Sequence, residues 1–118
     1  MDLTTGSELV PAARTVGDAL VLTVRGEIDM HNSPELRTQA LDLIHKHSPK
    51  RLVLNLTQVP YMDSSAFAVL VEALRRMRAL GGKVVLLGLQ PRVRGLMEIA
   101  RLGTIFTIAA DEAEGLSK

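Results

Sequence analysis

The sequence contains no cysteine and no tryptophan, and its only aromatic residues are Tyr61, Phe67 and Phe106. The lack of cysteine excludes disulfide scaffolds, thiolate zinc sites, iron–sulfur clusters and thiol catalysis. Three aromatic side chains also provide almost no platform for stacking on single-stranded nucleic acid. We therefore expect a globular protein with an aliphatic core, in which any functional site is built from polar side chains other than cysteine.

A large excess of charge and a long apolar run are also missing. The formal net charge is +1, from 14 basic and 13 acidic residues, so no overall field attracts nucleic acid or anionic lipid. The longest strongly apolar stretch, Val84 to Leu87, is far short of the ~20 residues that span a membrane. The first residues have no basic-then-apolar signal pattern. We therefore expect a cytoplasmic protein with no direct nucleic-acid contact and no membrane insertion.

The length and composition predict one domain over residues 1–118. The chain has 118 residues, of which 47% are hydrophobic and 23% charged, as in ordinary globular proteins. Residues 1–6 are predicted to be a loose tail.

The N-terminal region is typical of a β-hairpin. Residues 19–25 are apolar and β-branched and follow the turn pair Gly17-Asp18, so they predict a strand entered from a turn. Its partner is expected at residues 8–16. Pro11 cannot donate a ladder hydrogen bond, so we predict that this partner is an edge strand.

Helices and strands alternate over the rest of the chain. The Ser33-Pro34-Glu35 sequence predicts the start of a helix that runs to about His47. The apolar set that begins at Phe67 predicts a second helix, from Ser64 to a stop at Gly81-Gly82. Its members are Phe67, Leu70, Val71, Leu74 and Met77. A third helix is expected from Pro91 to Gly103, with Val93, Leu96, Met97 and Ala100 facing inward.

Three further strands are predicted at residues 51–56, 83–87 and 105–108. The first two are almost continuously apolar, which is typical of strands buried on both faces of a sheet. A short C-terminal helix is expected after Asp111-Glu112, limited in length by Gly115. Strands separated by helices imply right-handed parallel crossovers. The predicted fold is therefore an α/β sandwich: a mixed, mostly parallel sheet of about five strands, an antiparallel N-terminal edge hairpin, and three to four helices.

No enzyme or metal signature is convincing. The chain lacks both a Gly-x-x-x-x-Gly-Lys phosphate loop and a Gly-x-Gly-x-x-Gly sequence after a strand. His45 and His47 lie two residues apart on a predicted helix, so they point in different directions and are interpreted as helix-end residues. We expect no bound cofactor or metal ion.

The segment Tyr61-Met62-Asp63-Ser64-Ser65-Ala66 leaves three interpretations open. Its hydroxyls and carboxylate can simply cap a helix. Ser64 could instead be a hydrolase nucleophile, but the flanking glycines of a nucleophile elbow are missing, and its only candidate activators, Asp29 and His31, come from one loop. Third, Ser64 could accept a phosphoryl group from a kinase, because a helix N-terminus favours negative charge, although Asp63 would repel it.

Two motifs together resemble a known family. Gly26-Glu27-Ile28-Asp29 and Met62-Asp63-Ser64-Ser65-Ala66, each followed by a helix, are similar to the bacterial anti-sigma factor antagonists, which are built on the STAS domain. The similarity extends from about residue 8 to 112 and includes Leu54-Asn55-Leu56 and Gly81-Gly82-Lys83.

The resemblance implies a partner-switching function. In this family the serine after the motif aspartate is phosphorylated by an anti-sigma factor that is also a serine kinase, and that position is Ser64. The unmodified form binds the anti-sigma factor and frees the sigma factor, the phosphorylated form dissociates, and a phosphatase restores it. Asp29 corresponds to an acid near the phosphorylation site. The implied partner surface consists of Asp29, Met30, His31, Asn32, Asp63, Ser64, Ser65, Ala66 and Phe67.

Ala66 departs from the family pattern, which has glycine after the serine pair. A methyl group at this position would obstruct close approach of a kinase backbone. The alternative function is therefore a STAS scaffold or subunit that is not phosphorylated, within a signalling or lipid-transport complex.

Overall fold

A computed structural model describes all 118 residues, Met1–Lys118. The chain forms six strands and four helices, in the order β1 (Asp2–Leu3), β2 (Ala12–Val16), β3 (Ala19–Arg25), α1 (Ser33–His47), β4 (Arg51–Gln58), α2 (Ser64–Ala79), β5 (Lys83–Leu87), α3 (Pro91–Ile99), β6 (Thr107–Ala109) and α4 (Glu112–Ser117). This confirms the alternation of strands and helices that the sequence predicts.

All six strands form one mixed sheet in chain order. The pairs β1–β2 and β2–β3 are antiparallel, whereas β3–β4, β4–β5 and β5–β6 are parallel. The predicted mixed α/β sheet with an antiparallel N-terminal hairpin is therefore confirmed. The number of strands is six rather than about five, because β1 adds to the hairpin.

The two faces of the sheet have separate apolar cores. The larger core joins sheet residues such as Leu22 and Leu54 to buried residues of α1, α2 and α3, so these three helices share one face. The smaller core, which includes Val53 and Val85, packs against Leu116 of α4 on the other face. The central strands β4 and β5 are therefore buried on both sides, as their apolar sequences predict.

The N-terminal expectations need correction. Asp2 and Leu3 pair with Arg14 and Ala13, so the prediction of a loose tail over residues 1–6 is wrong. The strand expected at residues 8–16 begins only at Ala12, after Pro11. Because β1 occupies its outer side, β2 is not the edge strand that Pro11 suggested.

The C-terminal boundaries also differ from those predicted. Helix α3 ends at Ile99, and Ala100 is exposed rather than inward-facing. Arg101 then adopts a left-handed conformation (φ 59°), so the helix does not continue to Gly103. The following strand is Thr107–Ala109 rather than residues 105–108. Gly115 lies within α4, where a Cβ would be 3.5 Å from Val53 Cγ1, so the glycine lets the helix backbone approach the sheet closely.

The Ser33 hydroxyl, which suggests Ser33 as the cap before α1, does not fill that position. Asn32 is the residue before the helix, and buried Ser33 is its first residue, followed by Pro34. None of the four helices is both long enough and apolar enough to cross a membrane.

Candidate functional site

The two sequence motifs meet at the carboxyl edge of the parallel sheet. Strands β3 and β4 are parallel neighbours, so the loops that follow them leave the sheet on the same side. An isolated parallel bridge joins Ile28 to Met62. The Ile28 N–H donates to the carbonyl of Tyr61 (3.0 Å), and the Asp63 N–H donates to the carbonyl of Ile28 (3.1 Å). This bridge places the Asp29 turn beside the first turn of α2.

Asp63 caps α2 and also contacts the neighbouring loop. Its Oδ1 accepts hydrogen bonds from the Ser65 N–H (2.9 Å), the Ala66 N–H (3.2 Å) and the Ser65 hydroxyl (2.5 Å). Its Oδ2 accepts a hydrogen bond from the Met30 N–H at 3.1 Å. The capping interpretation of this segment is therefore correct for Asp63, and the carboxylate joins two elements of the site.

The loop from Asp29 to Asn32, which we call the Met30 loop, is closed by its own side chains. Asp29 Oδ1 accepts from the His31 N–H (2.8 Å), and Asn32 Oδ1 accepts from the Asp29 N–H (2.9 Å). The Asn32 amide also donates to the carbonyl of Glu27 (2.9 Å). Met30 lies at the tip, 69% exposed. The loop is thus a constrained turn that presents an apolar side chain.

The two serines occupy different environments. Ser64 is the first residue of α2 and is exposed, and its hydroxyl makes no hydrogen bond within the chain. Ser65 is partly buried, and its hydroxyl donates to Asp63. Of the two, Ser64 is therefore the hydroxyl that another molecule can reach without breaking an internal bond.

Ala66 and Phe67 do not lie on this surface. Ala66 is fully buried and Phe67 is 7% exposed, because both belong to the main core beneath α2. The expectation that their side chains form part of a partner surface is therefore wrong. The same burial corrects the expected obstruction by Ala66, since its methyl group points into the core and away from any approaching backbone.

None of the remaining predicted residues is buried: Met30, His31 and Ser64 are exposed, and Asp29, Asn32, Asp63 and Ser65 are partly exposed. His31 Nδ1 lies 3.6 Å from Asp29 Oδ1, and no hydrogen bond joins either side chain to Ser64. No group of three or more His, Asp or Glu side chains is arranged to hold a metal ion.

Hydrogen bonding lowers the pKa of Asp63 below its ordinary value. The Ser65 hydroxyl is the largest cause, and the N–H groups of Ala66, Ser65 and Met30 act in the same direction, whereas desolvation opposes them. Asp63 is therefore ionised at neutral pH. The negative charge is next to Ser64 and close to the positive end of the α2 dipole.

Replacing Ser65 by alanine is expected to raise the pKa of Asp63 toward the ordinary aspartate value of about 3.9. In the wild type, the pKa of Asp63 is lower in the folded state than in the unfolded state. The carboxylate therefore stabilises the fold at pH values above its unfolded-state pKa, and this stabilisation disappears as the pH falls through its folded-state pKa. Ser65→Ala should therefore lower stability modestly at pH 7 and shift the acid-induced loss to higher pH. An NMR titration of the Asp63 carboxyl carbon, with thermal unfolding at pH 7 and pH 3, measures both effects. Ser65→Thr, which keeps the hydroxyl, is the control, and an identical Asp63 titration in Ser65→Ala would contradict the assignment.

Sequence reasoning missed one contact at this edge. The Arg92 guanidinium carbon lies 4.6 Å from the centroid of the Tyr61 ring, in a cation–π arrangement. Tyr61 precedes the motif of α2, and Arg92 is in the first turn of α3. Tyr61 follows β4 and Arg92 follows β5, and these parallel neighbouring strands bring the two residues together. No local sequence pattern indicates this contact.

A family profile matches almost the whole chain. The profile of the STAS domain matches residues 10–115. The chain belongs to the STAS domain family. The motifs that meet at the carboxyl edge of the sheet lie within the matched residues, so the site described above is a site of the STAS domain itself.

Relatives of this STAS domain include named regulators. The chain is 35% identical over 97 residues to the anti-sigma-B factor antagonist of Listeria monocytogenes, covering 82% of this chain and 84% of that protein. The structure of an anti-sigma factor antagonist from Mycobacterium paratuberculosis superposes with a TM-score of 0.80 at 22% identity, over 89% and 88% of the two chains. The Bacillus protein SpoIIAA in its phosphorylated form gives a TM-score of 0.68 at 24% identity, over 89% and 95%. The two solved structures establish the shared fold.

Proposed function

We propose that this chain is an anti-sigma factor antagonist that works by partner switching. The unmodified form binds an anti-sigma factor with serine kinase activity, which releases the sigma factor. Phosphorylation of Ser64 by the same partner abolishes binding, and a phosphatase acting on phospho-Ser64 restores it. The chain itself is a regulator rather than an enzyme, and it acts in the cytoplasm.

The observation that carries this proposal is the position of the Ser64 hydroxyl. It is exposed, free of internal hydrogen bonds, and located on the first turn of α2 beside the Met30 loop. The same region contains the exposed side chain of Met30, a residue type that is enriched at interfaces, and the partly exposed carboxylates of Asp29 and Asp63. A docked partner would therefore cover the serine that it modifies.

The chemistry of the site suits a reversible phosphate. A phosphoryl group carries about −1.5 to −2 charges, and the amides and dipole at the start of α2 favour negative charge, so the domain can remain folded after modification. The ionised Asp63 next to Ser64 opposes the added charge. The added negative charge therefore changes the surface that meets the partner, while the domain stays folded.

Incubation with the kinase-type anti-sigma factor of the same organism and ATP tests the proposal. We expect one phosphate per chain by intact mass, located on Ser64 by peptide fragmentation. Ser64→Ala should receive none, whereas Ser65→Ala should still be modified on Ser64, more slowly. A phosphate on Ser65 alone would contradict the assignment of the acceptor.

The two alternatives predict other outcomes. A STAS scaffold predicts tight binding of a partner with no phosphate transfer, but its sequence argument, the methyl group of Ala66, is weakened because that residue is buried. A hydrolase predicts that a serine-directed covalent probe labels Ser64.

A further inference from the structure

Asp63 uses its two carboxylate oxygens for two different elements. Oδ1 binds the first turn of α2 through the Ser65 and Ala66 N–H groups, and Oδ2 binds the Met30 N–H of the neighbouring loop. Capping a helix requires only one of these oxygens, because a single acceptor satisfies the free amides of the first turn. The bond to Met30 is therefore additional to capping.

The N-terminus of α4 provides an internal comparison. Asp111 occupies the same capping position there, and its Oδ1 accepts a hydrogen bond from the Glu114 N–H at 2.9 Å. Asp111 makes no bond to another loop. Asparagine and aspartate are equivalent as helix caps, but an asparagine side chain has one acceptor oxygen, whereas a carboxylate has two. Only the position of Asp63 uses both acceptors.

The residue whose N–H this second oxygen accepts from carries a large, exposed apolar side chain. Met30 is 69% exposed, and its flexible thioether can adapt to an irregular apolar pocket of a partner. Because Asp29 and Asn32 close the Met30 loop on itself, fixing one amide at its tip fixes the position of the whole turn.

We infer that Asp63 is a positioning residue that holds Met30 and Ser64 at a fixed spacing, so that the anti-sigma partner meets an apolar anchor and the acceptor hydroxyl together. This inference rests on the proposed function. It assigns Met30 a direct contact with the partner and assigns Asp63 an effect that acts through Met30.

The variant that separates the two roles of Asp63 is Asp63→Asn. The single amide oxygen can still cap α2, but the NH₂ group that replaces Oδ2 cannot accept from the Met30 N–H. In the chain alone, we expect amide hydrogen exchange of Met30 to accelerate about tenfold, while Ser65 and Ala66 keep their protection. Asp111→Asn is the matched control and should change neither. Unchanged exchange at Met30 would overturn the inference, whether or not a partner binds.

A double-mutant cycle tests the link to binding. We expect Asp63→Asn and Met30→Ala each to weaken the binding of the unphosphorylated chain to the anti-sigma factor about tenfold. The combined variant should lose no more affinity than Met30→Ala alone, because both changes remove the same contact. Additive losses would show that Asp63 acts independently of Met30 and would overturn the inference. If the wild-type chain binds no anti-sigma factor, the proposed function fails, and the exchange experiment still decides whether Asp63 holds the loop.

Discussion

Ser64→Asp should lower the affinity for the anti-sigma factor by roughly 100-fold, whereas Ser64→Ala should bind at least as tightly as the wild type. Moving a two-state equilibrium from almost complete to almost absent binding needs about 5.5 kcal/mol, or ~10⁴-fold. A phosphate of about −2 charges at the centre of an interface can supply this through repulsion and desolvation. A carboxylate carries about half that charge, so about half of the free energy is expected. Titration calorimetry with the purified partner measures the difference.

The matched control for this prediction is Ser48→Asp. Ser48 is exposed and follows the last residue of α1, about 22 Å along the 15-residue helix from the Met30 loop. It adopts a left-handed conformation (φ 43°), which aspartate tolerates. Ser48→Asp should therefore leave the affinity unchanged. Full affinity of Ser64→Asp would refute an electrostatic switch, and equal losses in Ser64→Ala and Ser64→Asp would point instead to a contact made by the hydroxyl.

Met62→Ala is expected to destabilise the protein by about 2–5 kcal/mol, the usual cost of truncating a buried methionine. Met62 is fully buried in the main core and forms the bridge to Ile28 that joins the two motifs. Because a domain of this kind has only about 5–15 kcal/mol of total stability, much of it would be lost. The thermal midpoint should fall by about 6–25 °C, and differential scanning calorimetry measures the change.

Met62→Leu is the control for Met62→Ala, because it changes the side chain but keeps its volume. A volume-conserving substitution usually costs less than about 1.5 kcal/mol, so Met62→Leu should stay close to the wild type in stability and in partner binding. If Met62→Ala were as stable as Met62→Leu, the core beneath the site would be able to collapse into the space, and the bridge would not depend on this side chain.

The elements with strong periodicity were predictable from the sequence. Helix α2 occupies Ser64–Ala79 as expected, because its apolar residues recur at helical spacing and the Gly81-Gly82 pair follows. The parallel arrangement of β3, β4 and β5 followed from the alternation of apolar strands with helices. Both inferences depend on patterns longer than one turn or one strand.

Short elements were not predictable in the same way. Strand β1 has two residues, which are too few to show an alternating pattern, and its partner lies at Ala13 and Arg14 in the next strand. The end of α3 was misplaced because the apolar pattern continues past Ile99, whereas the left-handed Arg101 redirects the backbone. Such conformations depend on tertiary packing rather than on local propensity.

For the candidate site, the sequence indicated that the two motifs lie side by side, but not which hydrogen bonds join them. The meeting of the Asp29 and Asp63 motifs follows from parallel neighbouring strands, but the bond from the Met30 N–H to Asp63 depends on the exact turn of the loop. The burial of Phe67 could have been inferred, since it begins the stripe that continues through Leu70 and Leu74 into the core.

The brevity of β1 and β6 has a consequence for association. These outer strands have two and three residues, so each border of the sheet offers only a few unpaired backbone groups. An extended peptide that sought to lengthen the sheet would gain very few main-chain hydrogen bonds at either border. Recognition by strand addition is therefore disfavoured, and concentrated solutions of the folded chain should resist edge-to-edge polymerisation.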